Sequence, residues 1–257
     1  MMKKKPFVLT LMIAASAAAQ GTRLWTESSY EDFSRGTAHG VAIRSTGGLE
    51  LAPAFKTIYT SPSAYIWSIA AGKDGTVYAA AGAPARVYRI TADGKATTIF
   101  EPKELQVQSI ALAQDGAIFA ATSPDGKVYK ITRSATKGNA GGQEFTASVF
   151  FDPETKYIWD LALDAEGRLY VATGDNGEIY RVGKEGRGAV FFKSDEAHIR
   201  ALVFDSKGNL VAGSDGSGLV YRISPAGEGF VVYSAPKKEI TALAVDGEGN
   251  IYAGGCR

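Results

Sequence analysis

"GRLYVATGDNGEIYRV", Gly167 to Val182, reads as two short strands around a tight turn. The runs RLYVAT and EIYRV are rich in β-branched and aromatic residues, which suit a pleated, half-buried surface. Asp175-Asn176-Gly177 between them supplies the positive φ that a tight hairpin demands. The stretch is one of a set: "GTVYAAAGAPARVYRI" begins at Gly75, "GAIFAATSPDGKVYKI" at Gly116 and "GNLVAGSDGSGLVYRI" at Gly208, and "GNIYAGG" opens a fifth copy at Gly249. The steps are 41, 51, 41 and 41 residues, and in the four full copies a tyrosine (Tyr88, Tyr129, Tyr180, Tyr221) falls 13 residues after the first glycine.

Each unit carries four such runs. In the third they are YIWDLALD, RLYVAT, EIYRV and GAVFF. Four antiparallel strands repeating at about 40 to 45 residues define an all-β chain, a β-propeller of four-stranded blades. The first run of a unit is apolar on both faces, as in Ser109–Ala113 or Leu161–Leu163, so it is expected innermost, between neighbouring blades. The fourth runs, ending at Phe100, Phe151, Phe192 and Tyr233, are expected outermost. The single step of 51 is explained by a Gly-rich loop insertion over Thr132 to Gln143. Tyr59 lies 41 residues before Phe100, which makes GVAIR and FKTIY, Gly40 to Tyr59, the third and fourth strands of a half-blade. EITALAVD and NIYAGG are the first and second strands of another. Four complete blades with half-blades at both ends leave two readings: a ring of five closed by a shared blade, or part of a longer propeller.

"ITALAVDGEGNIYAGG" and "IWDLALDAEGRLYVATGDNGEIYRV" resemble NHL-type and gluconolactonase-like propeller repeats over about Gly40 to Gly254, and the chain is similar to uncharacterised exported bacterial propellers described as WD-repeat-like. No Gly-His opens a unit and no Trp-Asp closes one, so the WD signature itself is absent. The gluconolactonase resemblance implies a divalent ion at the central channel, held by a few carboxylates and an amide. Asp160 and Glu239 fall near suitable places, but no matching asparagine accompanies them.

The first residues, MMKKKPFVLTLMIAASAAAQ, have a basic start, an apolar run from Phe7 to about Ala15 and an A-x-A site at Ala17–Ala19. Residues 1–19 therefore read as a signal peptide, 20–39 as an extension and 40–257 as the propeller. The run is shorter than the roughly 20 residues of a spanning helix, so no membrane span is expected after cleavage, and the protein is expected to be exported, to a periplasm or the medium. Cys256 is the only cysteine, which leaves no internal disulfide. Twenty-eight basic against 27 acidic residues, with no long basic run, give nucleic acid no electrostatic footprint.

Asp195-Glu196-Ala197-His198 spells a helicase DEAH box, but no Gly-Lys pair is followed by Ser or Thr, so the phosphate-cradling loop is missing. The tetrapeptide is expected to link one blade to the next. G-x-S-x-G, H-E-x-x-H and paired cysteines are absent, and His39 and His198 are the only histidines. No catalytic residue, metal ligand or cofactor is assigned. Asp164, Asp205 and Asp246 recur at strand ends as turn-forming carboxylates.

Ile66, Val107, Ile158, Ile199 and Ile240 are equivalent and all aliphatic. Before them stand Tyr65, Gln106, Tyr157, His198 and Glu239, and after them Trp67, Gln108, Trp159, Arg200 and Thr241. Strand alternation sends both neighbours to the side opposite the aliphatic one, towards one mouth of the channel. Tyr65, Trp67, Gln108, Tyr157, Trp159, His198 and Arg200 are the candidate ligand-binding residues, suited to a carbohydrate, a peptide or a protein partner. The function expected is a binding or interaction module rather than an enzyme. The alternatives are a metal-dependent lactonase or lyase and a structural segment of a longer envelope protein.

Overall fold

The computed structural model describes residues 24–137 and 143–256; residues 1–19, read above as a signal peptide, lie outside them. The chain divides into two compact units, one up to Lys56 and one from Thr57 onward. In the first, a one-turn helix α1 (Tyr30–Ser34) is capped by Ser29, whose Oγ accepts from the backbone N–H of Asp32 while the Asp32 carboxylate accepts from that of Ser29. Strands β1 (Val41–Ile43) and β2 (Leu49–Leu51) then pair as a hairpin, Val41 opposite Leu51. This corrects the N-terminal half-blade expected over Gly40 to Tyr59. Gly47 and Gly48, at φ of 84° and 94°, turn the chain early, and residues 52–64, which include the N–H-less Pro53, form no strand.

The second unit is a β-propeller. Its first blade is β3 (Tyr65–Ala71), β4 (Val77–Gly82), β5 (Arg86–Ile90) and β6 (Ala96–Phe100). The second is β7 (Gln106–Leu112), β8 (Ile118–Ser123), β9 (Gly126–Lys137) and β10 (Gln143–Thr155). The third is β11 (Ile158–Leu163), β12 (Leu169–Thr173), β13 (Glu178–Val182) and β14 (Gly188–Lys193). The fourth is β15 (His198–Phe204), β16 (Leu210–Asp215), β17 (Leu219–Ile223) and β18 (Gly229–Ser234). Strands β19 (Glu239–Val245) and β20 (Ile251–Cys256) follow as an antiparallel pair. Within each blade consecutive strands pair antiparallel, first to fourth.

The hairpins between first and second strands turn on the repeat's opening glycine. Gly75, Gly116, Gly167, Gly208 and Gly249 all have φ between 77° and 86°. Asp164, Asp205 and Asp246 brace three of these turns: each accepts two backbone N–H groups, as Asp205 does from Lys207 and Asn209 at 2.9 Å. The insertion after Ile131 is not a plain loop. It lengthens β9 and β10 into a long hairpin in which Phe145 faces Arg133 and Gln143 faces Lys137, because Thr132–Lys137 continues the extended pairing.

The core lies between blades. One side of each sheet meets the opposite side of the next: Tyr78, Ala80 and Val87 of the first pack on Val107, Ile110 and Ile131 of the second. The outer rim is tied by rings. Phe100 meets Tyr129, Phe151 meets Tyr180 and Phe192 meets Tyr221, with centroids 4.8 to 5.5 Å apart. Tyr59 meets Tyr88 in the same way at 5.7 Å, so its register survives although it is in no strand. Ile110 and Ile69 are repeat equivalents on inner strands, yet Ile110 is 5% exposed and Ile69 is 69% exposed. We expect Ile110→Val to cost about 1 kcal/mol and Ile69→Val to stay within about 0.3 kcal/mol, as urea denaturation would measure. Equal costs would mean that the face of β3 is covered in solution.

Candidate functional site at the channel mouth

Every inner strand carries a β-bulge at the same point. Ile66 faces Ala81 and Ser68 faces Ala80, so Trp67 is an extra residue with no partner on β4. Gln108, Trp159, Arg200 and Thr241 are the extra residues of β7, β11, β15 and β19. A bulge re-aims side chains, and here it breaks the simple alternation expected from sequence. The five bulge residues reach one cavity, and in the first three blades so does the residue after the bulge. Trp67, Ser68, Gln108, Ser109, Trp159, Asp160, Arg200 and Thr241 line one cavity of about 310 Å³.

Four of the seven residues proposed from sequence therefore meet there: Trp67, Gln108, Trp159 and Arg200. Tyr65, Tyr157 and His198 do not line it. Tyr65 and Tyr157 lie stacked against the tryptophans two residues on, with centroids 5.4 Å and 5.1 Å apart. His198 Nδ1 accepts a hydrogen bond from Trp159 Nε1 at 3.2 Å and one from the Asp175 N–H at 3.4 Å. Of the DEAH tetrapeptide, Asp195–Ala197 connect β14 to β15 and His198 opens β15, and Glu196 accepts from the Ser217 N–H. Ser68 and Ser109 were missing from the sequence-derived residues because strict alternation turns them away, and Asp160 was placed near the channel only through the gluconolactonase resemblance, not among the ligand-binding set. Their signal was a polar residue, Ser, Ser and Asp, at one repeat position where Ala201 and Ala242 stand in the later copies.

Those three side chains also stitch the inner strands together. The Ile110 N–H donates to Ser68 Oγ at 3.3 Å, the Leu161 N–H to Ser109 Oγ at 3.2 Å and the Leu202 N–H to Asp160 Oδ2 at 2.8 Å. Asp160 Oδ1 accepts from Ser109 Oγ and from the Leu161 N–H, both at 2.8 Å. Burial pushes the Asp160 carboxyl up to about 6, although the bonds from Leu202, Ser109 and Leu161 pull the other way. Opposite it Arg200 lies flat on Trp159, 3.7 Å from the ring centroid, and pairs with the buried Glu239 at 2.9 Å. Cys256 Sγ lies 3.2 Å from the other Glu239 oxygen.

This donor set does not fit the divalent ion that a gluconolactonase resemblance implies. Asp160 Oδ1 accepts twice, Glu239 is taken up by Arg200 and Cys256, and only Asp160 Oδ2, which accepts from the Leu202 N–H alone, keeps a lone pair free; among the described residues no three His, Cys, Asp or Glu side chains gather.

The fold is that of a β-propeller, and solved propellers of several activities share it. It is similar to the virginiamycin B lyase of Staphylococcus aureus, at 13% identity and a TM-score of 0.61 over 73% of this chain and 62% of that one. A gluconolactonase of Xanthomonas campestris matches at 15% identity and a TM-score of 0.59, over 84% and 75% of the two chains. An aldose sugar dehydrogenase of Streptomyces coelicolor matches at 18% and 0.59, over 78% and 76%. The chain spans a little under two thirds of the length of the lyases it matches. No family model matches the sequence, and no curated protein is similar to it in sequence. These likenesses establish the fold. They also correct the expectation of a non-enzymatic module, because the solved propellers of this shape include a lyase, a lactonase and a dehydrogenase. That expectation rested on the absence of catalytic motifs, and a propeller site is assembled from single residues of separate blades, which no linear motif records.

Proposed function

We propose that the protein is an acid–base enzyme of the lactonase or lyase class, acting on a cyclic ester at the channel mouth, with Asp160 as the group that carries the proton. The observation that carries this reading is a cavity-lining carboxyl whose pKa of about 6 lies close to neutrality. The kinship in shape to a lyase and a gluconolactonase supports the class.

In the reaction, ionised Asp160 takes a proton from a water that adds to the ester carbonyl. Charge develops on the carbonyl oxygen, and the N–H groups of Arg200 not held by Glu239 offset it. As the ring C–O bond breaks, the alkoxide leaves with the proton held on Asp160, which returns to its starting state. Ser109 suits both protonation states, since its hydroxyl can donate to the carboxylate or accept from the acid.

The test is a panel of five- and six-membered lactones and larger cyclic esters, assayed from pH 4 to 9. Ring opening is expected to rise through about pH 6 as Asp160 ionises. Mass spectrometry of the product separates hydrolysis, which adds water, from elimination. No turnover across the panel, or equal turnover in Asp160→Asn, would overturn the reading. The basic and apolar start of the chain supports an exported setting. Protein recovered from the periplasm or medium should have the mass of a chain beginning at Gln20; an intact Met1 would overturn that setting.

A further inference from the structure

The repeat gives the chain two copies of one aromatic platform. In the first blade Tyr65 stacks on Trp67, interplanar angle 24°, and in the third Tyr157 stacks on Trp159, interplanar angle 14°. Each indole is seated over a glycine. A Cβ added at Gly82 would lie 2.7 Å from Trp67 Nε1, and one at Gly174 would lie 2.8 Å from Trp159 Nε1. The equivalent residues in the other copies are Ser123, Asp215 and Cys256, where the bulge residue is not tryptophan. Glycine thus appears at this position only where an indole must pass.

The two platforms differ in what lies on them. Trp159 carries Tyr157 on one side and the Arg200 guanidinium of the next blade, 3.7 Å from its centroid, so a cation already occupies it. At Trp67 the residue equivalent to Arg200 is Gln108, whose amide oxygen instead accepts from Gln106 Nε2 at 3.0 Å. Among the described residues no cation lies over Trp67 and no ring but Tyr65 stacks on it; the residue lines the cavity and is 44% exposed, as its neighbours on β3 also are. The charges around the cavity are also unbalanced. Arg200 is matched by Glu239, which leaves the Asp160 carboxylate without a cation among the lining residues.

We infer that the open face of Trp67 is a binding site for an organic cation, a guanidinium or alkylammonium group carried by the ligand, in the place that Arg200 fills over Trp159. Cation–π attraction to the indole and the field of Asp160 would hold it, and a neutral group of the same shape would gain neither. The inference rests on the cavity being the ligand site of the proposed enzyme and names the charge its substrate would bear.

Calorimetric titration with argininamide, its α-amine acetylated so that the guanidinium is its only charge, tests it, with the equally acetylated citrullinamide as the neutral isostere. Saturable binding in roughly the millimolar range is expected for argininamide, and binding at least about tenfold weaker for citrullinamide. Trp67→Ala removes the platform, and Gln108→Arg offers it an internal guanidinium that copies the third blade. Each should weaken argininamide binding about tenfold or more while circular dichroism stays unchanged. No saturable binding by the unmodified protein, equal affinity for the two probes, or undiminished binding in both variants would overturn the proposal. Binding is read without turnover. A protein that opens lactones but ignores argininamide lacks only the cation site, and one that binds argininamide but opens no ring lacks only the enzymatic activity.

Discussion

Asp160→Asn is expected to lower ring-opening turnover by roughly 100-fold or more, the usual contribution of a positioned general base, while leaving the protein folded. The fold survives because asparagine can imitate the protonated acid. Its Oδ1 can accept from the Leu202 N–H and its Nδ2 can donate to Ser109 Oγ; the Leu161 N–H loses its bond to the carboxylate but keeps the one to Ser109. The same variant tests the titration independently of any substrate. Folded Asp160 holds its proton up to about 6, whereas the carboxyl's ordinary value is 3.8. Between those values the folded state binds more protons at Asp160 than the unfolded one, so the stability this group contributes is fully present below about pH 4 and is lost as pH rises through 6. The amplitude is about 2 to 3 kcal/mol for a shift of that size. Urea midpoints measured from pH 4 to 7 should carry this decline in the unmodified protein and lose it in Asp160→Asn. A decline of equal size in both would assign it to other groups and leave Asp160 without its shifted proton.

The architecture was legible because the repeat states it five times. Glycines at a constant step fix the hairpins, tyrosines at a constant offset fix the third strands, and the apolar first runs fix which strand is inner. Gly40 to Tyr59 was misread because Tyr59 keeps the repeat's spacing through its side-chain packing on Tyr88 and its neighbours, and spacing does not reveal whether the backbone around a residue is paired. The candidate site was half legible. Variation among Trp67, Gln108, Trp159 and Arg200 marked the channel, but the bulge beside each of them was invisible, since it is a property of two strands and the sequence names only one. That missing residue of register is what brought Asp160 and Ser109 into the cavity. It also turned Tyr65 and Tyr157 from lining residues into supports.

Gly177→Ala is expected to destabilise the propeller by roughly 3 kcal/mol or more and to disturb the site from a distance. Gly177 has φ of 60°, and a Cβ there would lie 1.8 Å from the Glu196 carbonyl oxygen and 2.6 Å from Ser194 Oγ. Backbone cannot yield as the end of a flexible side chain can. The hairpin is clamped to that segment from both sides, by the Gly177 N–H to Ala197 O at 2.8 Å and the Ser194 N–H to Gly177 O at 3.0 Å. A methyl group must therefore push residues 194–197 outward and carry His198, the next residue, with them. His198 accepts from Trp159 Nε1, so the indole loses its support and Arg200 its platform. Gly208→Ala is the control. Its φ is 80° but nothing lies within 4 Å of the added carbon, so it bears only the cost of a left-handed alanine, about 1 to 2 kcal/mol. Chemical denaturation would compare the two variants, and near-ultraviolet circular dichroism would report the tryptophan environment. The expected outcome is a larger loss of stability in Gly177→Ala, with a change in the tryptophan bands that Gly208→Ala lacks. Equal losses and unchanged bands in both would mean that the connection between the third and fourth blades yields freely and that the geometry of Trp159 does not depend on it.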